Sequence, residues 1–94
     1  MNPSEQRISE PRRQRLQAIV ARHVQQVFQR LPMLSGFWLR PPPEMPELSV
    51  CTLRDDTDGH DVYEAVLHSL IDLAEERPEA VQLMRGRTFA RAFH

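Results

Sequence analysis

The chain has 94 residues, 40% of them hydrophobic and 27% charged, with a formal charge of −1. That length holds one domain with a modest core, and the composition is too apolar for a disordered chain. The near-neutral balance gives no bulk attraction to nucleic acid or anionic membranes, and no run of about twenty apolar residues is present to span a bilayer.

The charges are unevenly placed. All 12 basic residues are arginine. Before Pro41 there are 7 arginines against Glu5 and Glu10, and from Pro41 to Glu79 there are 11 acids against Arg54 and Arg77. Cys51 stands alone, which excludes an intrachain disulfide and a cysteine-based zinc site; inside a strand it reads as a small core or cross-strand residue. The first residues lack the apolar core of a secretory signal, and Glu5 and Glu10 speak against a mitochondrial presequence, so a cytoplasmic location is the default expectation.

In chain order, residues 1–9 are polar and read as a flexible tail. Ser9, Glu10 and Pro11 then mark a helix start, with a hydroxyl cap, an acid near the N-terminus and a proline in the first turn. Leu16, Ile19, Val20, His23, Val24, Val27, Phe28 and Leu31 follow the i, i+3, i+4 rule until Pro32 stops the helix. At about 100° per residue, Arg12, Arg15, Arg22 and Arg30 fall on one flank of that stripe, and Gln14, Gln25 and Gln29 share the rest of the outer face.

A hairpin follows, with Gly36–Arg40 and Leu48–Leu53 as strands and a loop stiffened by Pro41, Pro42, Pro43 and Pro46. Phe37 and Leu39 face one way, Trp38 and Arg40 the other. In the second strand Leu48, Val50 and Thr52 oppose Ser49, Cys51 and Leu53. Apolar residues occupy both faces, so cover is expected on both: the first helix on one side, the second helix or a partner subunit on the other.

An acidic turn at residues 54–61 leads into a second helix, capped by Thr57 or Asp58. Its apolar arc, Val62, Tyr63, Val66, Leu67, Leu70, Ile71, Leu73 and Ala74, spans about half the circumference and suggests burial against more than one neighbour. Arg77-Pro78 ends it. The last stretch has two readings. Ala80, Val81, Leu83 and Met84 fit a helical turn. The favoured reading is a short strand Ala80–Arg85, a turn at Gly86 and a final helix Thr88–Phe93. The expected fold is therefore α+β, a single small domain over 10–94. Its order is α-β-β-α followed by a short β-strand and C-terminal helix, with helices packed on a small, mainly antiparallel sheet.

Several motifs fail on their chemistry. Aligned as a calcium loop with Gly59 at the sixth position, the acidic turn has Arg54 and Ala65 where the anchoring carboxylates belong, so a solvated turn is the better account. A weak magnesium site at Asp55, Asp56 and Asp58 is the residual metal reading. No His pair among His23, His60, His68 and His94 has metal-site spacing. His23 reads as a partly buried packing residue, and His68 as a solvated one among acids. Ser49 and Cys51 show no placed base, and no phosphate-cradling glycine loop exists, so no catalytic, cofactor-binding or metal residues are assigned. Arg40 to Pro46 satisfies an RxxPxxP pattern, but prolines that keep a hairpin loop from pairing explain it as well.

The function expected from these features is a non-catalytic accessory or adaptor protein acting through protein–protein interaction, with a homodimer as one form. Phe37, Trp38, Arg40, Phe89 and Phe93 are its candidate partner contacts, since aromatics and arginines dominate binding energy. For Phe37 a place in the core is an equal reading. The alternative is a nucleic-acid or anion binder using Arg12, Arg15, Arg22 and Arg30.

Overall fold

The computed structural model describes residues 9–53 and 59–91. The expectations for residues 1–8 of the tail, for residues 54–58 of the acidic turn with the caps Thr57 and Asp58, and for Phe93 and His94 fall outside them. Three helices and three strands follow in the order α1 (Glu10–Arg30), β1 (Leu34–Leu39), β2 (Leu48–Thr52), α2 (Gly59–Glu76), α3 (Pro78–Met84) and β3 (Thr88–Ala90). The strands form one antiparallel sheet in the order β2-β1-β3. This is the small α+β domain expected, with one exchange at its C-terminal end.

Helix α1 buries Leu16, Val20, Val27 and Phe28, the stripe its periodicity defines. It begins without a side-chain cap: the carbonyl of Ser9 accepts from the amide of Arg13 at 2.8 Å, but its hydroxyl takes no capping bond. Proline in the first turn is the start signal that operates, because a missing N–H costs nothing there.

The hairpin register pairs Phe37 with Val50, Trp38 with Ser49 and Leu39 with Leu48. Strand β1 begins at Leu34, two residues earlier than the pattern suggested, since Leu34 is fully buried opposite Thr52, ahead of a bulge. Phe37, Leu39 and Leu48 join the helices in the core. The opposite face carries Ser49, Cys51, Thr88 and Ala90, all exposed, around a partly buried Trp38 that lies outside the core cluster. The expectation that α2 covers this second face is therefore corrected: among the described residues the helices pack on the other face only, and small or polar neighbours surround the single aromatic here. Cys51 belongs to the open face, opposite Gly36, and not to the core.

Helix α2 packs on both β2 and α3. Its buried ridge is narrower than the apolar arc: Val62, Val66, Leu70 and Leu73 are buried, while Ile71 is 46% exposed.

The C-terminal segment reverses the favoured reading: residues 80–84 are helical and residues 88–90 extended. Pro78 opens α3 and cannot donate to a sheet ladder, while Ala80 and Met84, four residues apart, are both fully buried on one side. Gly86 then turns the chain at φ 81°, a left-handed conformation that suits glycine. The next residues return along β1 and pair Phe89 with Phe37 and Ala90 with Gly36. A Cβ on Gly36 would lie 2.9 Å from the carbonyl oxygen of Phe89, so the close approach of β3 depends on that glycine.

Candidate interaction groove

Because β1 is central, β2 and β3 are the sheet edges. The amide of Arg91 donates to the carbonyl of Ser35 at 2.8 Å, which fixes the phase of the ladder. Arg91 and Phe89 turn their backbone groups toward β1, so those of Thr88 and Ala90 point away from the sheet. Between this edge, which no other described strand pairs, and α1 lies an open groove of about 680 Å³. Its floor is apolar, built by Val24 and Phe28 of α1 and Phe89 of β3, and its helical wall carries Gln17, Ala21, Gln25 and Gln29.

The groove floor is held by an aromatic stack. The rings of Phe28 and Phe37 are 5.9 Å apart, and those of Phe37 and Phe89 are 5.1 Å apart at an interplanar angle of 30°. Phe37 is 2% exposed, so its candidate role as a free partner contact is corrected: it is the buried centre of the stack. Phe89 is its partly exposed end.

Arg91 locks the lower end of the groove. Its guanidinium donates to the carbonyls of Leu34 at 2.8 Å, Phe28 at 2.9 Å and Leu31 at 2.7 Å, and lies 5.1 Å from the centre of the Phe28 ring. Two of those carbonyls end α1, where the helix is electronegative and its last C=O groups lack intrahelical donors. Nothing in the sequence singled out Arg91; the usable signal was a lone arginine two residues beyond an aromatic in a segment read as helix. Arg87, at the other end, is exposed and makes no ion pair with any described residue.

The other candidate contacts are scattered. Trp38 is on the open sheet face. Arg40 pairs with Glu47 and, at 3.4 Å, with Glu44, while Arg85 donates to the carbonyls of Arg40 and Glu44. These bonds hold the proline loop against the end of α3, and Pro41 covers Gly86. An RxxPxxP ligand needs its arginine and backbone free, and here both are engaged. On the arginine flank, Arg12 donates to Glu79 at 3.0 Å and holds that carboxyl below its usual range. Arg15, Arg22 and Arg30 are exposed and unpaired with any described carboxylate.

One further pair has the look of chemistry. Ser69 Oγ lies 3.0 Å from His23 Nε2, joining α2 to α1. Burial, reinforced by the nearby Arg30, lowers the His23 pKa against a smaller upward pull from Asp72, so the ring is neutral near pH 7. A hydroxyl beside a neutral imidazole resembles a nucleophile and base. Ser69 is in the interior of α2, however, where backbone amides are consumed by the helix and none is spare to stabilise an oxyanion. The pair therefore serves as an interhelix hydrogen bond. His60 approaches Glu64 at 3.2 Å and His68 is exposed; neither of them, nor Cys51, lines the groove. Among the described residues no three His, Cys, Asp or Glu side chains are grouped to hold a metal ion, and no helix is long and apolar enough to cross a membrane.

No family model, curated protein or solved structure matches this chain.

Proposed function

We propose that the protein is a non-catalytic accessory or adaptor module that binds another polypeptide by strand addition at β3. The observation that carries this reading is the juxtaposition of a free strand edge with an apolar groove. Outward amides and carbonyls at Thr88 and Ala90 supply main-chain bonds, and the space above Phe28 and Phe89 accepts alternate side chains. A short edge strand by itself is ordinary protection against aggregation. The groove beside it distinguishes this edge. The exposed thiol of Cys51 is compatible with a reducing compartment, which fits the cytoplasmic location expected from the sequence.

Selection of displayed random octapeptides against the full chain tests the reading. Enriched sequences should alternate apolar residues with polar ones and should lose binding to Thr88→Pro, which deletes an outward amide. Absence of any enrichment over an unrelated protein contradicts it.

The arginine flank favours a second reading, anion binding, through the exposed Arg15, Arg22 and Arg30. Its weakness is that Arg12 is already committed to Glu79. A labelled oligonucleotide that fails to bind even at low salt removes it, because phosphate contacts strengthen there.

A further inference from the structure

We propose that the groove selects an extended segment in which an apolar residue is flanked, two places to either side, by acidic residues. The inference rests on the strand-addition reading and specifies the partner's chemistry. A strand added antiparallel to β3 sets every second residue on the helix side of the sheet. Its central residue then falls opposite Phe89, and the residues two before and two after fall opposite Arg87 and Arg91. The centre meets an apolar floor of Val24, Phe28 and Phe89 with room for a branched aliphatic side chain. The two flanking positions meet cations.

The groove's charge is all of one sign. Among the described residues Arg87 and Arg91 are its only charged lining residues, and no described carboxylate pairs with either. Arg91 spends donors on three carbonyls, which orient the guanidinium and supply dipoles but no carboxylate counter-charge. The helical wall adds no charge, since its polar residues Gln17, Gln25 and Gln29 are amides. A carboxylate on the added strand finds a cation at each end of the site and no repelling acid between them. The intervening residues, opposite Thr88 and Ala90, lie on the open face and exchange the main-chain bonds.

The same register argues against a second copy of this chain as the occupant. Two β3 strands paired across a two-fold axis through Phe89 would set Arg87 of each opposite Arg91 of the other. Like charges directly opposed across strands are destabilising.

The test uses fluorescein-labelled Thr-Glu-Val-Ile-Val-Glu-Thr, with matched peptides carrying Gln or Lys for Glu, titrated against the full chain by fluorescence anisotropy. Two ion pairs, one at exposed Arg87 and one at half-buried Arg91, predict that the Glu peptide binds about three- to tenfold tighter than the Gln peptide, with the Lys peptide weakest. N-methylation of both valines should abolish binding. Arg87→Glu, an exposed change that leaves the core untouched, should erase or invert the preference between the Glu and Lys peptides. Equal binding of the Glu, Gln and Lys peptides overturns the acidic specificity while leaving strand addition standing. Undiminished binding of the N-methylated peptide, or no binding of any peptide, overturns both. Sedimentation of the protein alone completes the set: a dimer that Thr88→Pro dissociates assigns the edge to a second copy and overturns the proposal.

Discussion

Arg91 joins three parts of the chain, since one guanidinium reaches carbonyls at the end of α1, in the turn after it and in β1. Replacing it with alanine leaves those carbonyls to water or unpaired, and a hydrogen bond to a charged group contributes about 1.5–3 kcal/mol. Arg91→Ala should therefore destabilise the protein by about 2–4 kcal/mol in urea unfolding, because the bonds share one side chain and do not add fully. Arg91→Lys keeps the charge without the fork and should recover less than half of that loss. His23 gives a prediction with a sign. Its folded-state pKa is lowered, chiefly by burial, with Arg30 also unfavourable to the charged ring and Asp72 opposing. The unfolded chain then binds the proton more readily, so the stability tied to neutral His23 is present above its ordinary value of 6.5 and is lost as pH falls below it. Against His23→Gln, which keeps a partner for Ser69 and does not titrate, the wild type should lose stability between about pH 8 and about pH 5.5. A constant difference between the two across that range would contradict the account.

Among the elements, α3 and β3 were the least legible in the sequence. The i, i+4 pair Ala80 and Met84 and the proline at the first position both pointed to helix. A strand of 3 residues, Thr88–Ala90, has too little alternation to be seen as one. Its extended form is imposed by neighbours: the ring of Phe37, the absence of a Cβ at Gly36 and the hold of Arg91. By contrast α1, β1, β2 and α2 were readable from local periodicity and proline punctuation, which require no knowledge of the partner element. The groove inherits the difficulty of β3, because its floor joins residues more than 50 positions apart in a segment read as helix. Two substitutions test these elements. Met84→Ala removes a fully buried side chain from α3 and should cost about 2–5 kcal/mol. Gly36→Ala forces β3 away from β1 and should cost about 1–3 kcal/mol, with loss of the Phe89 ring contact visible by NMR.

For the whole molecule, the helices pack against one face of the sheet, the proline loop is held by Arg85, and β3 is left as an edge beside an apolar, arginine-flanked groove. Composition and charge showed no apolar run long enough to span a membrane and no net basic balance; they carried no signal for this groove, which exists only once β3 has joined β1. The most direct measurement of the central claim is amide hydrogen exchange at Thr88 and Ala90, free and with saturating Thr-Glu-Val-Ile-Val-Glu-Thr. Both amides point away from the sheet in the free protein and should exchange quickly. The account predicts that they become strongly protected with the peptide, while the exposed residues at Arg15 and Arg22 are unchanged. Saturation by the peptide with Thr88 and Ala90 still exchanging freely would contradict it.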